Sequence, residues 1–233
     1  MEVHHHGHKG SKNWKTLLAE FFMLFLAVFS GFIAENLREH YVERERAHQY
    51  IVSMLNDLGK DTLHLQETIR INKKRVSGID SLLMALSVPS SDSANRQVYR
   101  YTRYVISNDI FENAGTTITQ LKNAGGYRLI TDTSIVNRIM NYDLKNEDMK
   151  EQADVYAGTT IKILDMIGEY MDLSAWNNAT GINTYYIEKD PAKKRIFYNK
   201  CFIQKKLIEN YVGMLTAQKQ QAIEDISFLS KKI

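Results

Sequence analysis

Residues 51–86 read IVSMLNDLGKDTLHLQETIRINKKRVSGIDSLLMAL, and the spacing of their apolar members decides the fold class. Ile51, Leu55, Leu58, Thr62, Leu65, Ile69, Asn72, Val76, Ile79, Leu83 and Leu86 follow one another at alternating steps of four and three. Such steps average the 3.5-residue repeat that keeps one helix face against a partner helix. This heptad seam contains no proline, so it predicts a long helix. Its core face packs in an antiparallel bundle, or against another copy in a parallel coiled coil. Thr62 and Asn72, the polar members, are suited to fixing register, and Gly59 and Gly78 are places where the rod can bend.

Upstream, residues 17–34 read LLAEFFMLFLAVFSGFIA, long enough as a helix to cross the hydrocarbon of a bilayer. Trp14 stands at the entrance, where interfacial aromatics belong. Two other readings compete. A cleaved signal peptide would use Lys9, Lys12 and Lys15 as its basic leader, but Phe29 or Phe32 would sit where cleavage wants a small side chain, and Glu20 interrupts the apolar run. The other is a buried helix of a soluble protein. On one helical stripe lie Glu20, Ala27, Gly31 and Ala34, with Arg38 beyond, and Ala27 and Gly31 have the small-xxx-small spacing that lets helices approach closely. This stripe predicts self-association. Glu20 lies about one turn inside the apolar run, where it can reach back to the headgroups.

Basic residues do not orient the span, since Lys9, Lys12 and Lys15 on one flank match Arg38, Arg44 and Arg46 on the other. Glu35, Glu39, Glu43 and Glu45 crowd the second flank, and the expected orientation is a cytoplasmic N-terminus with the C-terminal body outside.

After Pro89 the stretch SVPSSDSANRQ reads as a turn-rich link between helices. Val98, Tyr101 and Val105 then resume bundle spacing, and the Gly125–Gly126 pair suits a helix C-terminus. The same NAGGYR stretch lacks the spacing of a phosphate-binding loop. Thr131 and Asp132 can cap a second long helix with Ile135, Ile139, Tyr142, Met149, Ala153, Tyr156, Ile163, Met166, Ile167 and Tyr170 inward. A final helix places Ile208, Val212, Leu215, Ala222, Ile226 and Leu229 on one face. Between these two helices an irregular stretch carries Trp176, Asn178, Tyr185 and Tyr186, which either plug the end of the bundle or line a ligand pocket.

The expected fold is therefore all-α: an N-terminal transmembrane helix continuing into a long helix that packs with later helices as an elongated helical bundle. The boundaries are a His/Lys-rich tail at 1–15, the span at 16–36, the juxtamembrane heptad helix at 37–88 and the remaining helices at 89–233.

Composition narrows the function classes. Thirty basic against 27 acidic residues leave a formal charge of +3 over 233 residues, without the basic excess of a nucleic-acid binder. A single cysteine, Cys201, excludes an internal disulfide and a CxxC pair. All seven histidines lie in the first third of the chain. Glu45-x-x-His48 and Asp61-x-x-His64 have the spacing of di-iron motifs, but both sit on one helix and no facing helix offers a histidine. His4, His5, His6 and His8 could take a divalent metal through imidazole, but adventitiously, with nothing to fix the ligands. No cofactor and no enzymatic activity are expected.

Taken together, MEVHHH, AEFFMLFLAVFSGFIAENLREH, YIVSMLNDLGKDT and TITQLKNAGGYRLI resemble a large uncharacterised family of membrane-anchored proteins from Gram-negative bacteria. The resemblance covers most of the chain and is tightest in 1–65 and 117–142. It implies one transmembrane helix in the bacterial inner membrane, a helical and periplasmic body, and a native histidine run. It brings no catalytic residues. The expected function is that of a structural or interaction module, a homo-oligomer in the lipid bilayer with a possible membrane-protein partner. The alternative is a ligand- or metal-responsive sensory subunit acting through another chain.

Overall fold

A computed structural model describes residues 13–173 and 186–233. Helices are α1 (Trp14–Ser87), α2 (Asp92–Ile106), α3 (Thr116–Asn123), α4 (Thr133–Tyr170) and α5 (Pro191–Leu229), with a 3-10 turn at Gly126–Leu129. Among the described residues there is no β-strand, only the isolated bridge between Met171 and Tyr186. The fold is all-α. By its contacts the chain divides into two units, Met1–Gln49 and Tyr50–Ile233.

The first unit contains the N-terminal half of α1. Its apolar segment makes α1 the one helix among those described that is long and apolar enough to cross a membrane, and none of that segment is buried by the protein. Phe21, Phe25 and Phe29 stack along one side, with ring centroids 6.3 and 5.7 Å apart. Just beyond the apolar segment, Arg38 pairs with Glu35 one turn earlier at the exposed surface.

The second unit is a bundle built on three heptad repeats. On α1 the buried series includes Ile51, Met54, Leu58, Asp61, Leu65, Thr68, Asn72, Arg75, Ile79, Leu82 and Leu86. Ile135, Ile139, Tyr142, Met149, Ala153, Tyr156, Thr160, Ile163, Ile167 and Tyr170 do the same on α4, and Phe197, Cys201, Gln204, Ile208, Tyr211, Leu215, Gln218, Ala222, Asp225 and Leu229 on α5. Steps of three and four, with one step of seven between Tyr142 and Met149 of α4, give the knobs-into-holes contact of left-handed bundles. One apolar cluster joins Ile79, Leu82 and Leu86 to Val98 and Val105 of α2, Ile163 and Ile167 of α4, and Phe197 and Ile208 of α5. A second joins Leu65 to Phe111, Met149, Tyr156, Tyr211 and Leu215.

The fourth column of the bundle is α2, the loop 107–115 and α3, running antiparallel to α1. Tyr104 meets Gly78, the Asp109 carbonyl meets Asn72, and Thr117 meets Asp57. From Tyr104 to Thr117 is thirteen residues, against twenty-one between Gly78 and Asp57 on α1. A helix rising 1.5 Å per residue is too short for that distance, so the chain leaves the helix and extends.

The α1 seam differs from its sequence reading at four of its five alternate positions. Ile51, Leu58, Leu65, Asn72, Ile79 and Leu86 are buried as expected, and so is Leu83. Leu55, Thr62, Ile69 and Val76 are only half-buried, and the neighbours one residue earlier, Met54, Asp61, Thr68 and Arg75, take the interior. A four-helix bundle buries a stripe wider than a two-stranded seam, and the half-buried set is its flank. Gly78 is no bend. A Cβ there would lie 2.2 Å from the Tyr104 ring, so the glycine is a socket for that side chain.

Helix ends follow the expected chemistry. Asp132 caps α4 by accepting from the Ser134 amide, Gly125 follows α3 with φ of 64°, and Asp190 precedes Pro191 at the first turn of α5. The link after α1 is shorter than read, because Ser91 already caps α2 by accepting from the Ala94 amide.

Candidate functional site

The loop 107–115 brings irregular backbone into the bundle, and the buried polar residues of α1 are there to receive it. Backbone N–H and C=O groups taken from water need partners, and an extended loop cannot supply its own. Asn72 Nδ2 donates to the Asp109 carbonyl at 3.0 Å, and the Tyr156 hydroxyl donates to the same oxygen at 3.4 Å. Phe111 N donates to the Tyr211 hydroxyl at 2.9 Å. His64 Nδ1 lies 3.0 Å from the Glu112 carbonyl, which as an acceptor fixes the proton on that nitrogen. Ala114 N donates to Asp61 Oδ1 at 2.7 Å, while Tyr142 donates to Oδ2 at 2.8 Å. Asp57 Oδ2 accepts from both the amide and the hydroxyl of Thr117, at 3.1 and 2.6 Å, and so caps α3 from a different helix.

Phe111 completes the cradle. Its ring is buried between α1, α4 and α5, packed with Leu65, Met149, Tyr156 and Tyr211. His64 covers it, with ring centroids 5.2 Å apart.

Electrostatics follow from burial. Desolvation pushes the Asp61 carboxyl above its ordinary value, opposed by its bonds to Ala114 and Tyr142. Asp109 is raised by the same cause, opposed by the charges of His64 and Arg75. The Tyr142 and Tyr156 hydroxyls are pushed far up, chiefly by burial, and stay protonated donors.

A cleft of about 360 Å³ opens between residues 110–113 of the loop and α4, lined by Ile110, Phe111, Glu112, Asn113, Asp143, Asn146, Glu147, Lys150, Ala153 and Asp154. Its rim is acidic, although Asp143 is already paired with Lys122. No group of three or more His, Cys, Asp or Glu side chains is arranged to hold a metal among the described residues.

The sequence-predicted sites fare differently. Asp61 and His64 both serve the loop, Asp61 through Ala114 and His64 through Glu112. Glu45 accepts from Gln49 on the exposed side of α1, and His48 beside it is exposed. Glu20, Ala27, Gly31 and Ala34 share one helix, and space around Gly31 is open: a Cβ there would meet nothing within 4 Å. Tyr186 is 2 % exposed and packs against Tyr170 and Phe197, which makes it core at the end of the bundle. Trp176, Asn178 and Tyr185, and the four histidines His4, His5, His6 and His8, lie outside the described residues.

Cys201 is fully buried, and desolvation raises its thiol well above the ordinary range. A thiol reagent at pH 8 should therefore leave the folded chain unmodified and label it stoichiometrically in denaturant; rapid native labelling would show that α5 does not pack as described.

Sequence reasoning missed Arg75, Tyr142, Tyr156 and Tyr211 as parts of a polar cradle. The available signal was the period of seven from Asp61 through Thr68 to Arg75, a polar row inside an apolar helix face. No family model, no curated protein and no solved structure matches the chain.

Proposed function

We propose that the chain is a membrane-anchored helical interaction module. In this reading residues 17–34 of α1 span the bacterial inner membrane, copies associate through Glu20, Ala27, Gly31 and Ala34, and the bundle is presented on the periplasmic side to a protein partner. The observation that carries it is the division of the exposed apolar helix into two faces. Phe21, Phe25 and Phe29 stack along one, while Ala27, Gly31 and Ala34 lie on the opposite one with open space at Gly31. Bulky aromatics suit lipid, and small side chains let two backbones approach to van der Waals distance. Left in water, so long an uncovered apolar surface would aggregate.

The mass of the full chain purified in mild detergent tests the association. The expected species is a dimer or larger. Replacing Ala27 and Gly31 together by leucine should shift it to monomer, whereas Phe25→Leu should leave it assembled. A wild-type monomer with no copurifying protein would overturn the reading.

A further inference from the structure

Arg75 is 2 % exposed, and a guanidinium keeps its charge even where, as here, burial pulls its pKa down. Its contacts converge on the two ends of one stretch of chain. Nε donates to the Tyr104 carbonyl at 3.5 Å, in the last turn of α2. Nη1 donates to Asn72 Oδ1 at 2.8 Å, and Asn72 passes the contact on to the Asp109 carbonyl. The Tyr156 ring lies 5.7 Å from the guanidinium carbon, and the hydroxyl of that ring reaches the same carbonyl. Among the described residues two buried atoms here have no hydrogen-bond partner, Arg75 Nη2 and Asp109 Oδ2. They belong to groups of opposite charge: burial raises the Asp109 carboxyl, and the charges of His64 and Arg75 oppose that rise.

A buried cation with a spare donor and a carboxylate with a spare acceptor each cost free energy alone and less in each other's field. We propose that Arg75 and Asp109 form a charge latch that docks the loop 107–115 in the bundle and so fixes the wall of the cleft against α4. Arg75 is the positioning residue of that wall. The other titratable groups face Asp109 from less buried positions or without charge. From α1, Glu67 has the same sign and is paired with Arg70 at the surface; His64 draws Asp109 towards its ionised form ahead of Arg75, but it is exposed, where water and salt screen its charge, and its Nδ1 is bound to the Glu112 carbonyl. From α4 and α5 come Tyr156 and Tyr211, whose raised pKa values keep them neutral. The latch rests on the bundle alone and is independent of self-association.

Amide hydrogen exchange on the full chain in detergent micelles tests it, comparing the Phe111 and Ala114 amides with the Leu215 amide of the α5 core. Arg75→Met keeps the packing of the stem and removes the charge; Asp109→Asn removes the other charge. Each should speed exchange at Phe111 and Ala114 at least about tenfold with Leu215 unchanged, and the double variant should exchange no faster than the faster single one. Unchanged loop exchange, equal acceleration at Leu215, or multiplying effects in the double variant would overturn the latch. If Arg75→Met does not fold, Asp109→Asn decides alone: loop-confined acceleration supports the latch, and its absence overturns it.

Discussion

An Asp61→Ala variant is expected to lose about 2–6 kcal/mol of stability, because two donors are orphaned at about 1–3 kcal/mol each. The Ala114 amide and the Tyr142 hydroxyl both point at this carboxylate, and the residue is 3 % exposed, so water does not replace it. The amide belongs to the backbone and cannot be removed, but the hydroxyl can. Asp61→Ala combined with Tyr142→Phe should therefore cost less than the two single changes added together. Urea unfolding followed by far-UV circular dichroism measures all three, and a loss below about 1 kcal/mol for Asp61→Ala would mean that the loop is not held as described.

The same residue carries a pH signature whose sign runs against the usual carboxylate. Burial raises the folded-state pKa of Asp61, so the folded state binds this proton more tightly than the unfolded chain. By linkage the contribution is greatest below the unfolded value near 4, declines as pH rises through the interval up to the raised folded value, and is flat above it. Asp225 and Asp109 are raised by burial too and act in the same direction. Asp61→Asn should flatten this slope in the acid range. An unchanged slope would remove Asp61 as its source.

Gly78→Ala is the second change with a large expected effect. In an ordinary helix interior the substitution stabilises by about 0.5–1 kcal/mol. Here the new methyl would stand 2.2 to 2.7 Å from three carbons of the Tyr104 ring, with the ring base rather than a flexible tip in the way. Tyr104 would have to leave its place against α1, and overpacking of this kind costs about 1–3 kcal/mol, which outweighs the propensity gain. The expected result is a lower urea midpoint for Gly78→Ala and a normal or higher one for Gly59→Ala, where a Cβ meets nothing within 4 Å. Equal effects at the two glycines would contradict the socket.

These residues also show where the sequence is legible. Ile51, Leu58, Leu65, Ile79 and Leu86 are apolar wherever the helix sits, and their seven-residue period alone places them inside. On α4 the inward set read from the sequence is buried throughout apart from Met166, which packs at the edge of the core. Where an alternate position on α1 or α5 gives way to a charged neighbour, the cause is plain. A search for apolar residues prefers Val76 to Arg75 and Ile226 to Asp225, because it sees no partner for a buried charge. The partner of Asp61 is a backbone amide at position 114, and that of Asp225 is Arg138, contacts that exist only once the chain has folded. The loop itself was hidden because its ND and EN pairs break the helical pattern like any surface turn. Phe111 was the remaining clue, a large apolar residue in a polar stretch.

In the apolar segment 17–34, every position is exposed or nearly so, and the assignment of faces rests on side-chain size alone. Single cysteines placed along residues 24–34 of the chain in native membranes, with Cys201 protected by burial, test the central claim most directly. Oxidative crosslinking to a dimer is expected at Ala27, Gly31 and Ala34 and absent at Phe25 and Phe29. Equal crosslinking all round the helix, none at any position, or release of the chain from membranes by alkali without detergent would contradict a membrane-spanning helix that pairs through its small face.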